Sequence, residues 1–403
     1  MKKTVSLLLL MVLLFSVLAT ASLAETAQRE LNFFLTYSKE KVGLHEVIRQ
    51  FEEANPDIKL NLTIITDLTE AQKQFNIMIA GDMLPDLVDL DGPNHAAYVK
   101  MGIFQDLTDK INAELPVDQY YEGPMESVMV DGKIYGLPFT TNNIAVFYNK
   151  DMFDAAGIDK FPETWDELLD ACNKLKKDGF YPMATSCTLT MDGTFRFYPY
   201  LWGAGGDIDK LDNQGTLDTL NLFKTFVDEK IMNVEVANWT PADATNQFIN
   251  GKAAMVLEGP WRIGSVTKDA KFNWGVAPMP SGAEKRATCL GGHTMAVIKG
   301  GNEEDAWKLM KWFQDPARME HFMATDGYLP TRKDVMAQTP LFNEGAFKVF
   351  ADSAAFALPR GPHANWPKIE QVIQEMMQSV VVGTKTPEQA QKDAVEAMPA
   401  LLQ

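Results

Sequence analysis

The side chains able to do chemistry in this chain are plentiful but not arranged for catalysis. Its five histidines (His45, His95, His293, His321 and His363) stand far apart, and none falls in a zinc-binding spacing such as H-E-x-x-H. Gly203-Ala204-Gly205-Gly206 fails the dinucleotide fingerprint, because no strand leads tightly into it and Ile208 stands where the third glycine belongs. Gly251-Lys252 is followed by Ala253, so the hydroxyl that a phosphate-binding loop gives to magnesium is missing. No G-x-S-x-G elbow exists for a serine nucleophile. Paired carboxylates for glycoside hydrolysis stay open, since acidic residues are many and their separation is not readable from sequence.

A different chemistry, recognition of a ligand face, is suggested by Gln247–Trp261, QFINGKAAMVLEGPW. It reads as a helix end, a glycine stop at Gly251, an apolar strand and a Gly-Pro-Trp turn. Ala253 to Leu257 is apolar on both faces of the pleat, as a strand buried on both sides requires. Glu258 ends that run and Pro260 cannot supply a ladder hydrogen bond, so the chain leaves the sheet where Trp261 appears. Open α/β sheets bind ligands at such strand exits. The competing reading is a tryptophan that plugs the domain edge.

The elements that would position these residues alternate strand and helix. Leu31, Phe33 and Leu35 alternate in a strand, Leu44, Val47, Ile48 and Phe51 share a helical face, and Ile58 to Ile64 alternate again. A helix through Phe75, Met78 and Ile79 and a buried strand at Pro85–Leu90 complete β-α-β-α-β, which implies a parallel sheet. Its strand ends near Tyr37, Asp67 and Asp89–Asn94 should line one edge. Asp131-Gly132 marks a tight hairpin. Ile144–Asn149 opens a second α/β unit, in which Thr164 and Glu167 make a capping box for a helix with Cys172 on its core face. Phe139–Asn142, Trp274–Pro280 and Gly327–Thr331 are extended segments suited to cross between the units, the last followed by helix through Leu402. Phe195 and Phe197 read as core, and Trp307 and Trp312 as helix packing.

Length agrees with two domains: residues 1–24 read as a secretory signal peptide, and the remainder exceeds what one core usually organises. No cysteine follows the expected cleavage site, which argues against a lipid anchor. The formal charge of −17 becomes −19 without Lys2 and Lys3, a surface that repels nucleic acid and anionic membranes. Cys172, Cys187 and Cys289 are too few for a disulfide scaffold and read as small buried hydrophobes, with a Cys172–Cys187 pair as the alternative.

Eight segments, in order, resemble the extracellular solute-binding proteins of carbohydrate-uptake ABC transporters, the group that includes maltose-binding protein. They are AGDMLPDLVDL (Ala80–Leu90), YGLPFTTNNIAVFYNKDMF (Tyr135–Phe153), PETWDEL (Pro162–Leu168), WGAGG (Trp202–Gly206), INGKAAMVLEGPW (Ile249–Trp261), WGVAPMP (Trp274–Pro280), GGHTMAV (Gly291–Val297) and GYLPTR (Gly327–Arg332). The resemblance implies a periplasmic-binding-protein-like type II α/β fold, with two lobes on a three-segment hinge. The lobes would be residues 25–139 with 280–330, and 140–279 with 331–403. It also implies a monomer, periplasmic or extracellular, that captures a sugar and passes it to membrane permease subunits, with no catalytic residue, metal or cofactor. Trp261 matches a position that stacks on a sugar ring. Asp91, Asn142, Gly291 and Gly292 match positions that hold hydroxyls, and Arg332 one that reaches the ligand; Asp91 reads equally as a helix N-terminal carboxylate and Arg332 as a lobe bridge. Tyr37, Glu40, Trp202, Trp239 and Glu258 join the candidate ligand contacts by their place near predicted rims or strand ends. His293 departs from the small residue expected after Gly-Gly. Two other functions stay open: a binder of phosphorylated polyols, using Arg196, Arg262, Arg332 or Arg360, and a secreted carbohydrate-active enzyme.

Overall fold

The computed structural model describes residues 28–403 apart from residue 178; the signal segment expected at 1–24 lies outside the described residues. Strand β1 (Arg29–Leu35), helix α1 (Val42–Ala54), β2 (Ile58–Ile64), α2 (Leu68–Ala80) and β3 (Leu87–Asp91) follow in the predicted order. β1 pairs in parallel with β2 on one side and β3 on the other. His293–Val297 adds antiparallel to β3, and Leu137–Pro138 closes a five-stranded sheet. Along β1, Leu31, Phe33 and Leu35 enter one apolar cluster while Phe34 enters another with Phe75 and Tyr98. Period-two alternation with both faces apolar is what a sheet covered on both sides demands.

The second sheet runs in the order Trp274–Ala277, Ala145–Asn149, Met255–Glu258, Met183–Ala184. Met255–Glu258 is buried at every residue and flanked on both sides, antiparallel by Ala145–Asn149 and parallel by Met183–Ala184. Its preceding helix, Pro241–Ile249, starts at a reciprocal capping box between Thr240 and Asp243 and ends before Gly251, whose φ is +66°. Thr164 caps its helix as predicted, but Glu167 answers the backbone N–H of Glu163 rather than that of Thr164. Leu168, Ala171, Cys172 and Leu175 all face the core. The three cysteines are free and buried, and burial pushes the Cys172 and Cys187 thiols up to about 12.

Two of the expected crossings move. Trp274–Pro280 does not cross: its first four residues form an antiparallel strand against Ala145–Asn149, pairing backbone groups that would otherwise be left at the edge of the second sheet. Thr288–Leu290 then pairs with a strand at Ala357–Pro359, in a region expected to be helical, and packs on the helix Met191–Gly203. The chain reaches the first sheet only at Gly291–His293. Likewise Gly327–Thr331 runs beside the first crossing, where Leu329 bridges Thr141, but then stays with the first lobe. Arg332 bridges Tyr120 and Lys333 Nζ donates to the Asp118 carbonyl at 2.9 Å. Helix Gly345–Ser353, by contrast, packs on the second sheet and takes a hydrogen bond from Asn143 Nδ2 at its Phe350 carbonyl, 2.9 Å. The third passage is therefore Thr339–Gly345.

The first two passages lie side by side. Asn142 and Gly291 exchange both backbone hydrogen bonds, at 3.0 and 2.9 Å, and Phe139 N–H donates to the His293 carbonyl at 2.7 Å. Gly292, with φ +139°, lets the strands approach: a Cβ there would lie 2.2 Å from the Thr140 carbonyl oxygen. Gly292→Ala is thus expected to lower the denaturant midpoint by an amount equivalent to about 1–3 kcal/mol. Gly300→Ala, at φ +83° with nothing within 4 Å, should cost only about 1 kcal/mol in the same unfolding series.

Candidate ligand cleft

A cavity of about 320 Å³ opens between the two sheets. The predicted convergence of strand ends supplies one wall: Thr36 and Tyr37 after β1, Thr66 to Leu68 after β2, and Asp91 at the end of β3, joined by His293 and Tyr328. The other wall comes from the start of the helix Met191–Gly203 (Met191, Asp192, Phe195, Arg196), the turn Thr240–Ala242, and Trp261, Arg262 and Arg360. Asn142 and Gly291, from the paired crossings, form the floor between them.

Trp261 is held in place by its neighbours. It sits in the short turn Pro260–Arg262 that follows the buried strand, and its ring folds back over Gly259, where any Cβ would lie 2.0 Å from the indole. Its Nε1 donates to Glu258 Oε2 at 3.1 Å, and its ring tilts against Phe195 with centroids 6.3 Å apart. Glu258 has no exposed surface, and its Oε1 accepts from Arg196 Nη2 and Thr245 Oγ1, both at 3.0 Å. Arg196, 2% exposed, also donates to the carbonyls of Leu257 and Asp192. A buried charge is tolerable only when paired and hydrogen-bonded in this way.

A second buried ion cluster ties β3 to the other lobe. Arg360 Nη2 donates to both Asp91 oxygens at 3.0 and 3.1 Å, its Nη1 lies 3.5 Å from Glu370, and its guanidinium covers the Phe195 ring at 4.8 Å. Burial pushes Glu370 up to about 7 against the pull of Arg360. Asp91 stands at the start of a short helical turn but makes no side-chain cap; its carboxylate is committed to Arg360. Burial likewise raises the Asp192 carboxyl, with Glu258, Asp91 and Asp67 adding to the rise against Arg196. Asn142 Oδ1 is buried without a hydrogen-bond partner among the described residues, on a residue that lines the cavity.

Of the residues expected at the ligand, Tyr37, Asp91, Asn142, Trp261, Gly291 and His293 meet in this cavity. Six do not line it. Glu258 lies behind Trp261, and Gly292 in the strand pairing beside it. Trp202 is a core side chain stacked on Tyr198 at 4.7 Å, its Nε1 donating to Asp207, because the glycines after it end a buried helix rather than form a rim. Trp239 lines a separate pocket with Asn233 and Gln247. Arg332 grips Asp334 through two nitrogens and the Gln314 carbonyl, within the first lobe. Glu40 is exposed outside the cavity. Phe195, expected in the core, lines the cleft, while Phe197 is fully buried. The spacing Asp192, Phe195, Arg196 would have disclosed that helix face, since residues three and four apart are neighbours. Thr36 and Tyr328 adjoin residues or segments singled out from the sequence; Arg196, Arg262 and Arg360, named there only for a phosphorylated ligand, do line the cavity, whereas Arg332 does not.

The bacterial extracellular solute-binding protein family matches residues 46–349. A putative binding protein of Brucella abortus is 28% identical over 400 residues, 96% of each chain. The maltotriose-binding protein of Pyrococcus abyssi is 26% identical, over 80% of this chain and 71% of that one. An ABC transporter solute-binding protein of Thermotoga lettingae, solved with alpha-D-tagatose, shares the fold at a TM-score of 0.86 with 26% identity, over 93% of this chain and 100% of that one. Two α/β lobes closing a polar, aromatic cleft, together with a family match over most of its length, place this chain among the bacterial extracellular solute-binding proteins.

Proposed function

We propose that this chain captures a neutral sugar or short oligosaccharide in the interlobe cleft and delivers it, unaltered and as a monomer, to the permease subunits of an ABC transporter at the outer face of the cell membrane. The working lobes are residues 28–139 with 291–339 and residues 140–290 with 340–403, divided where the strands and helices change partner. The observation that carries the reading is the pinned Trp261 indole beside hydroxyl-bonding groups in a cleft whose two buried arginines, Arg196 and Arg360, are already paired with carboxylates. A sugar offers apolar C–H faces to an aromatic ring and hydroxyl edges to side chains that donate and accept. Asn142, Asp67 and Asp192 supply such groups in this cavity. The maltotriose- and tagatose-binding relatives support the same solute class.

A phosphorylated polyol is the second reading, favoured by the presence of Arg196, Arg262 and Arg360 in the cavity wall. Against it, Arg360 is bound to Asp91, Arg196 to Glu258, and Arg262 lies 3.9 Å from the same Glu258 carboxylate. A phosphate at Arg196 or Arg360 would have to compete with carboxylates that cannot leave the site.

A thermal-shift screen over mono- and oligosaccharides and phosphodiesters separates these readings. A sugar at 100 times its Kd is expected to add about 2.7 kcal/mol of stability. A response confined to phosphodiesters would replace the sugar assignment, and release of cleaved product from an oligosaccharide would overturn capture without chemistry. Trp261→Ala should weaken the sugar hit at least tenfold, about 1.4 kcal/mol, by calorimetric titration; unchanged affinity would remove the indole from the site.

A further inference from the structure

His293 begins the strand beside β3, in register with Asp91, and its ring rests on Tyr37 with centroids 4.8 Å apart. Its Nδ1 lies 3.0 Å from Asp89 Oδ1 and 3.0 Å from Thr36 Oγ1. Asp89 is fully buried; its second oxygen accepts from the Thr36 backbone N–H at 3.0 Å and from the Thr36 hydroxyl. An ionised carboxylate only accepts, and a hydroxyl that has directed its proton to that carboxylate turns a lone pair to its other neighbour. Both groups facing Nδ1 are therefore acceptors, and the ring proton belongs on Nδ1. The other nitrogen, Nε2, has no hydrogen-bond partner among the described residues, on a side chain that is 12% exposed and lines the cleft.

We infer that His293 is a specificity-determining residue, its Nδ1–H locked inward by Asp89 and Thr36 so that Nε2 points to the solute as a charge-assisted donor to a ligand oxygen. This rests on the cleft being the solute site. The charged groups around the ring decide whether Nε2 carries its proton. Burial pulls the imidazole down and Arg360 acts the same way, but the Asp89 carboxylate, its hydrogen bond and Asp91 together raise it above its ordinary value. Tyr37 beneath the ring is raised by burial and stays neutral. A raised value means that the donor is present at lower pH and is lost as pH climbs through it. Above that point Nε2 presents a lone pair, which rejects an ether or carbonyl oxygen and keeps only hydroxyls that can turn a proton toward it.

The ligand-free protein gives the first test. Among five histidines, the imidazole signal missing from His293→Gln identifies His293 in NMR titrations of the wild type. Its midpoint should lie above about 6.5, with the proton on Nδ1 in the neutral form, and should fall in Asp89→Asn. A wild-type midpoint below that value, or a neutral form protonated on Nε2, overturns the assignment without touching solute capture. Titration calorimetry with maltotriose, D-tagatose and the other sugars of the screen supplies the second test. Wild-type affinity should weaken about tenfold between about pH 6 and about pH 9, while His293→Gln should show little pH dependence. Equal pH dependence in both proteins, or none in the wild type, removes the donor role while capture stands. Failure of every sugar to bind at any pH removes capture and the donor role together.

Discussion

Glu258 is a carboxylate with no exposed surface at the end of a strand buried on both faces. Such a group is stable only if every strong acceptor direction is filled, because unpaired burial costs several kcal/mol. Three elements meet to fill it: Arg196 from the helix that walls the cleft, Thr245 from the helix that precedes the strand, and Trp261 from the turn that follows it. The same hydrogen bonds that compensate the charge fix the plane of the indole. Gly259 permits that geometry, since the ring occupies the space of its absent side chain. A polar residue ending an apolar strand thus works as the anchor of an aromatic platform.

The remaining cleft follows the same economy of charge. Arg360 joins Asp91 and Glu370, and Asp89 joins Thr36 and His293. Both clusters start from β3, where Asp89 and Asp91, two residues apart, share one face of the strand. Because Arg360 and Arg196 are matched within the protein, much of the surface left to a solute is made of hydroxyls, amides and rings. That composition suits many hydroxyls better than one anion.

Much of this was legible in the sequence. Alternation at Leu31, Phe33 and Leu35, the helical face around Phe51 and the hairpin at Asp131-Gly132 follow from local periods and backbone preferences. The convergence of the Tyr37, Asp67 and Asp91 strand ends followed from topology. What failed was partner choice. Trp274–Ala277 and Ala357–Pro359 are short, and a short extended segment does not encode whether it crosses or pairs; that depends on edges supplied by Ala145–Asn149 and Thr288–Leu290, far away in sequence. Trp202 and Trp261 show the same limit. Both are tryptophans beside glycines, yet one ends a helix buried at every residue but Asp192 and the other follows a proline out of a sheet.

The location of the cleft floor connects recognition to motion. Asn142 and Gly291 are bonded to each other within the crossings, and His293 and Thr140 continue the same pair of segments. Three residues that line the cavity, Asn142, Gly291 and His293, are therefore on the backbone that joins the lobes. A solute can shift a conformational equilibrium only by binding one state better than another. Here Trp261, Phe195 and Asp192 belong to one lobe and Asp67, Tyr37 and His293 to the other, so a solute that touches both sets gains its full contacts only when the lobes approach. On the proposed reading, closure would be favoured by the solute's own hydrogen bonds, and the tight backbone approach at Gly292 holds the two central crossings side by side.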